Sequence, residues 1–338
     1  MALPNSGPLS LNQIHVEAGG TSSTEASIND ADIRDLISAS SGAQMSFSDF
    51  YGASSVTTIS QTISSSTNNY NIASSRPGTY SAGNTAFTLT VNPGVTIGTN
   101  STSGTSLTMG SPWTAGDTVT INNYGTIKGA GGQGGHGAAV GFTSGDVNTS
   151  SGGSSVNGAA LTLTYPATVG NFGSIFGGGG GGGGGGARVY NQTFGKLGST
   201  FFISGGGGGG GAGVVPGPGG AGGDYTTPVN IRPNFGGANG NAGAAGTANA
   251  GGAGGSANGI AFIGLQTISF PTNGGAGGGL GSDGSSGTLN PFPSPNPLSN
   301  FSTTNPTPGG SGGTRGFYIS GNPFATWSPQ GTVGGRSS

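Results

Sequence analysis

The chain has 338 residues, 79 of them glycine and 19 proline, with a net charge of −2 and only 5% charged residues. Disorder pairs low hydrophobicity with high net charge, and 31% apolar residues at so small a charge argue against a solvated tail. No dense Lys/Arg cluster is present to neutralise phosphates, which argues against a nucleic-acid partner, and the absence of cysteine removes disulfides, thiolate nucleophiles and cysteine–zinc sites.

Residues 1–10 lack a basic start followed by an apolar run, so no signal peptide is expected. No stretch is long and apolar enough to enter a membrane as a spanning helix. A chain made in a cytoplasm without an export signal, yet composed like an external fibre, points to release by lysis, as for part of a virion.

Residues 1–55 read as a small head. Through residue 52 the carboxylates Glu17, Glu25, Asp30, Asp32, Asp35 and Asp49 face Arg34 alone, a net of −5. Ser27 is placed to cap a helix, with Asp30 favouring its first turn. Ile33, Leu36 and Ile37 supply an apolar stripe at helical spacing, and Gly42 is the expected stop. Leu9, Leu11 and Ile14 form a second apolar face, closed by Phe47, Phe50 and Tyr51. A core this small is marginal alone. Docking on a partner would complete it, with Asp30, Asp32, Asp35, Phe47 and Phe50 as the expected docking surface.

Residues 56–128 change period. Phe87, Leu89 and Val91 alternate with threonine, as do Val119 and Ile121, the mark of half-buried strands. Asn92-Pro93-Gly94 and Asn123-Tyr124-Gly125 are turn signals. The segment reads as a β-rich connector, either a compact domain or the first coils of a β-stack.

From 129 to 338, glycine tracts alternate with ordinary sequence: 129–137, 177–186, 205–213, 217–223, 236–259, 274–287 and 309–316. Several keep period three, as at Gly237, Gly240, Gly243 and Gly246, or at Gly310, Gly313 and Gly316. Period three belongs to a polyproline-II-type helix, which has no internal hydrogen bonds. Its amides and carbonyls must find partners on neighbouring helices, and glycine on the facing sides permits that approach. A tract inside a bundle therefore needs glycine almost throughout, whereas a rim tract spares one position in three. Ala130, Gln133 and His136 form such a stripe. Flexible linkers do not keep phase through so many tracts, and a collagen helix would need far more proline. The expected fold is thus mostly irregular and β: a helical attachment head, a β-rich middle segment and a C-terminal bundle of packed polyglycine-II helices.

A nine-residue tract spans roughly 30 Å, so 236–259 should reverse near 247–249. If every segment reverses, the connections 187–204, 224–235 and 260–273 emerge at one end of the bundle, and 138–176 and 288–308 at the other. The first group holds Tyr190, Phe194, Phe201, Phe202, Tyr225, Phe235, Phe262 and Phe270, with Arg188, Lys196 and Arg232. Aromatics beside cations suit sugar rings or exposed protein loops. The same aromatics could instead cap the bundle against water.

Glycine tracts alternating with divergent segments resemble the tip adhesins on long tail fibres of some T-even-like phages. The stretches Leu9-Ser-Leu-Asn-Gln-Ile14 and Met45-Ser-Phe-Ser-Asp-Phe-Tyr-Gly52 are similar to a module recurring in phage structural proteins. Gly316-Phe-Tyr-Ile-Ser-Gly-Asn322 followed by Thr326-Trp327 is similar to the close of several fibre proteins. The resemblance implies an N-terminal attachment domain on a fibre partner, a polyglycine-II body, and distal loops that bind an outer-membrane protein or glycan of the host. It places the protein at the fibre tip of the virion. The β-rich segment 56–128 departs from that family pattern.

Catalytic motifs are thin. Gly309-Gly-Ser-Gly-Gly313 matches a nucleophile elbow without a histidine after it, and the Gly-x-Gly-x-x-Gly matches lack a strand–helix context. Gly219–Asp224 and Gly278–Asp283 resemble half of a calcium-binding nonapeptide, but isolated copies read better as turns. Asp117, Asp146, Asp224 and Asp283 would have to converge in a pair to cleave a glycan. The reading is a non-enzymatic virion adhesin without cofactor or metal. Its rivals are a capsid or baseplate decoration protein and a glycan-depolymerising tailspike.

Overall fold

The computed structural model describes residues 3–140, 147–148, 159–194, 197–224, 236–263, 266–289 and 301–338, of which 140, 147–148, 188–194, 197–203, 236–238, 258–263, 266–271 and 301–306 are described by backbone alone. Strands predominate and helices are few and short. The chain divides into two compact units. One comprises 1–61, 76–89 and 112–120, and the other 62–75, 90–111 and 121–338.

In the first unit the helix Leu11–Glu17 starts at a capping box. Gln13 N–H donates to Ser10 Oγ at 3.2 Å, and Ser10 N–H to Gln13 Oε1 at 2.8 Å. Ile14 meets Leu3, Ile33 and Phe50 in a buried core, with Leu9, Leu11, Leu36 and Ile37 packed around it. The second helix departs from expectation. It spans Ala31–Asp35, with Asp30 rather than Ser27 at the N-cap position. The Asp30 carboxylate turns back to accept the Ser27 N–H at 2.8 Å. Gly42 does not end it either. Ser38 takes φ 55 and Ala39 N–H closes on Arg34 O at 3.0 Å, so the chain leaves the helix before Gly42.

The same unit holds the start of the expected strands. Thr85–Val91 alternates buried and half-buried positions, with Phe87 and Leu89 inside. Asp117, 6% exposed, is a loop clamp. It accepts from Tyr80 Oη at 2.6 Å, Thr114 N–H at 2.8 Å and Thr85 N–H at 3.1 Å. Beside it the Arg76 guanidinium lies 3.7 Å above the Tyr80 ring and 4.8 Å from that of Trp113.

The second unit is a parallel β-stack with a glycine body inserted into it. One sheet aligns Thr67–Asn68, Thr96–Gly98, Thr126–Lys128, Ser174–Phe176 and Thr332–Gly334. Its register builds an aliphatic ladder of Ile97, Ile127, Ile175 and Val333. A second sheet aligns Tyr70–Asn71, Leu107–Thr108, Leu161–Thr162, Phe317–Ser320 and Arg336–Ser337, with Leu107, Leu161 and Ile319 fully buried. Along a third face, Ala167–Asn171 pairs with Ala325–Trp327. Preceding layers connect through Asn92 N–H to Ile63 O (3.0 Å), Tyr124 N–H to Val91 O (2.9 Å) and Phe172 N–H to Asn123 O (2.8 Å).

The expected turns at 92–94 and 123–125 form the corner between two faces, and Asn171-Phe172-Gly173 repeats them one layer on. Asn123 Nδ2 donates to Asn171 Oδ1 at 2.8 Å, and both side chains are fully buried. Tyr124 and Phe172 stack outside at 4.8 Å with ring planes 8° apart. The stack therefore does not stop at 128. It continues through 161–176 and takes its last strands from 317–337, which the expected partition assigned to the glycine-rich region. The chain leaves the stack after Lys128 and again after Phe176, and returns at Leu161 and at Phe317.

Candidate functional site

The inserted body explains its own composition. Gly132, Gly135 and Ala138 donate to Gly179, Gly182 and Gly185 at 2.8–3.0 Å, one bond per three residues. Gly208 and Gly211 donate back to Gly135 and Gly132. The tract 205–213 bonds to 129–138, 177–186, 217–223, 240–247, 250–256 and 274–279 around it. Tract 177–186 bonds to 129–138, 205–213, 274–279, 282–288 and 309–316. These two enclosed tracts are the ones built almost wholly of glycine. A Cβ on Gly178, Gly184 or Gly209 would lie 1.6, 1.8 or 1.9 Å from a neighbouring carbonyl oxygen. Side chains larger than a methyl group stand only on outward positions of the described tracts. Gln133 and His136 are exposed as expected of a rim stripe, but Ala130 is fully buried.

Turns beside the β-stack are short. Val214 N–H bonds to Gly129 O, Thr247 N–H to Ala250 O at the expected reversal, and Ser282 N–H to Gly279 O. The last turn lies within 274–287, which the count of reversals takes as one tract although Gly278–Asp283 reads as a turn, and Gly281 takes φ +66 there. It overturns the expected sorting of connections. Tracts 129–138 and 177–186 also run parallel, because the chain passes back through the stack between them. Every long connection flanked by described residues therefore opens at the end away from the stack: Gly205 N–H meets Ala138 O, Gly223 N–H meets Gly205 O, and Gly186 N–H meets Thr288 O. The connections 138–176 and 288–308 do not lie at an opposite end.

At that end three connections share one sheet. Ala187–Phe194 pairs antiparallel with Leu197–Ile203 and, on its other side, with Phe301–Thr307; Gly236–Ala238 joins Leu197–Ile203. The register sets Tyr190 opposite Phe201 and Thr303, Phe202 opposite Val189 and Gly237, Arg188 opposite Ile203, and Phe194 opposite Leu197. A second sheet pairs Ser256–Ile263 with Gln266–Asn273, setting Phe262 opposite Thr267 and Phe270 opposite Gly259, and ends on Thr288–Leu289. The sheets are rooted in the body by short polar contacts: Thr272 Oγ1 donates to Ser204 O at 2.9 Å, and Gly240 N–H to Ser204 Oγ at 3.1 Å. Lys196, Tyr225, Arg232 and Phe235 lie outside the described residues. The strand Phe301–Thr307 was missed, since its connection had been counted to the wrong end.

The carboxylates do not form a pair among the described residues. Asp224 follows Gly223 at the far end, whereas Asp283 is near the stack, accepting the Arg315 N–H at 2.8 Å. Asp117 is occupied as a clamp, and Asp146 is outside the described residues. No group of three His, Cys, Asp or Glu suited to a metal is found among the described residues.

In the first unit the expected attachment residues separate. Asp32 and Asp35 are exposed and line a cleft with Ala18, Leu36, Ser54 and Ser55. Phe47 is 42% exposed, as is Tyr51 at 39%. Phe50 is fully buried in the core and offers no docking side chain, whereas the half-buried Asp30 accepts the Ser27 N–H. Phe47 and Phe50 begin and end one 3-10 turn, and only the second packs against Leu3, Ile14 and Ile33.

Residues 58–338 match the family model described as phage tail fibre adhesin Gp38. Among solved structures, the chain is similar to one in the crystal structure of the gp37-gp38 adhesin tip complex of the bacteriophage S16 long tail fiber. The identity is 19% and the TM-score 0.44, over 99% of this chain and 100% of that one. No curated protein matches.

Proposed function

Because the chain belongs to the phage tail fibre adhesin Gp38 family, a receptor-binding component of the virion's tail fibre, we propose that its receptor surface is the far end of the glycine body. The observation that carries this reading is the convergence of the long connections there, three of them in one sheet. Binding concentrates on loops held by a rigid scaffold. The enclosed tracts meet their neighbours through backbone and cannot change residue without losing contact, whereas the connections are free to differ. The tracts are best described as polyglycine-II helices, each turn of three residues presenting amides and carbonyls to adjacent helices.

Arg188, Tyr190, Phe194, Lys196, Phe201, Phe202, Tyr225, Arg232, Phe235, Phe262 and Phe270 remain the proposed contacts, now joined by the connections 139–158 and 289–308. The receptor is a host surface protein or glycan, held without covalent chemistry. The acidic head, with exposed Asp32, Asp35, Phe47 and Tyr51, docks on a fibre protein and places the body at the fibre tip. Alanine at Tyr190, Phe202 and Tyr225 together should weaken adsorption to host cells while the melting temperature holds. Full adsorption by that variant would remove these residues from the receptor site.

A further inference from the structure

The insertion 177–316 leaves and re-enters the β-stack at two roots, Gly177 and Gly316. Both are held by the same three residues. Gly177 N–H donates to Gly334 O at 2.8 Å, and Arg336 N–H donates to Gly316 O at 3.0 Å. Gly335, between them, takes φ +131, and a Cβ there would stand 2.7 Å from Gly316 O and 3.2 Å from Gly177 N. Gly177 O in turn accepts from Gly281 N–H, and a Cβ on Gly281 would meet Gly334 at 2.5 Å, so the proximal turn 279–282 rests on the same point. Side chains reinforce the strand. The Arg336 guanidinium lies 4.3 Å over the Phe317 ring, and Asn171 Nδ2 donates to Gln330 O and Thr332 O at 2.7 and 3.0 Å.

We infer that Gly334-Gly335-Arg336 is a clasp: it ties the two roots of the insertion together and so holds the enclosed tracts in register. Both roots are bonded from one short stretch that joins the last strands of two sheets, its ends registered by Phe176 opposite Gly334 and Phe317 opposite Arg336. Opening the clasp frees tracts 177–186 and 309–316 at their base while leaving the earlier layers of the stack, Thr96–Gly98 and Thr126–Lys128, paired. The far end then loses its fixed arrangement without any change in the connections themselves. Residues 334–336 are thus positioning residues for the receptor end, whichever connection touches the receptor.

Amide hydrogen exchange on the full chain tests this, comparing the natural protein with Gly335→Val and with the milder Arg336→Ala. Gly335→Val should speed exchange in 177–186 and 309–316 by about tenfold or more, ahead of 96–98 and 126–128. If it fails to fold, Arg336→Ala carries the test, with several-fold faster exchange at Gly177 and Gly316 and none at 96–98. Faster exchange confined to 332–338 with the tracts unaltered, in whichever variant folds, would overturn the clasp. So would uniform loosening of all layers together.

Discussion

A Cβ on Gly181 would stand 1.8 Å from the carbonyl oxygen of Gln133, and Gly181 O already accepts the Gly313 N–H on another side. Relief would require separating backbones that are hydrogen-bonded along their whole length. Gly181→Val should therefore cost at least about 3 kcal/mol and remove exchange protection from the body. Gln133→Ala, on the exposed side of the same contact, should shift stability by less than about 0.5 kcal/mol. Thermal unfolding of both variants checks the contrast, and equal melting temperatures would refute it.

The buried Asn171 joins two layers by donating to Gln330 O and Thr332 O while accepting from Asn123. Asn171→Ala takes a partner in a closed corner from the Gln330 and Thr332 carbonyls and from one N–H of the Asn123 amide, whose other bond runs to Ser174 O. The expected loss is at least about 2 kcal/mol, with strands 332–337 the first to exchange.

Burial raises the pKa of Asp117, but hydrogen bonds from Tyr80, from the N–H groups of Thr114 and Thr85 and from the Thr114 hydroxyl outweigh it and hold the carboxyl below its ordinary 3.8. A folded-state pKa below the unfolded one adds stability that is fully present above the unfolded value. That stability is lost as pH falls through the folded one. The first unit should accordingly lose stability below about pH 4. Asp117→Asn should lower stability at neutral pH and flatten that acid limb, as read from melting temperatures between pH 2 and 7.

In the head, Phe50→Ala should cost about 3–5 kcal/mol, because it empties the centre of the core. Phe47→Ser should leave melting nearly unchanged yet reduce incorporation into particles, as should charge reversal at Asp32 and Asp35. Normal particle content of both folded variants, by immunoblot of purified virions, would move attachment away from this surface.

Much of this was legible from spacing. Period three in glycine announced the lateral hydrogen bonding, and alternation at Phe87, Leu89 and Val91 announced the strand that carries them. Other parts were not. Leu161–Thr162 and Ser174–Phe176 are too short for a two-residue period to register, so the β-stack was truncated at 128. Leu280-Gly281 turns inside Gly278–Asp283, a stretch that reads as a turn but is not counted as a reversal of the tract 274–287. That one unseen reversal, with the passage of 139–176 back through the stack, misplaced two of the connections. In the head, Phe47 and Phe50 have the same side chain, and only the tertiary packing around Leu3, Ile14 and Ile33 decides which one is buried.

The most direct test of the receptor assignment is transfer of host range. Replacing 139–158, 187–204, 224–239, 257–273 and 289–308 together with the corresponding segments of a relative of different host range should keep the melting temperature and switch adsorption to the relative's host. A folded chimera that still adsorbs to the original host would contradict the assignment and place recognition on the β-stack or the rim of the glycine body.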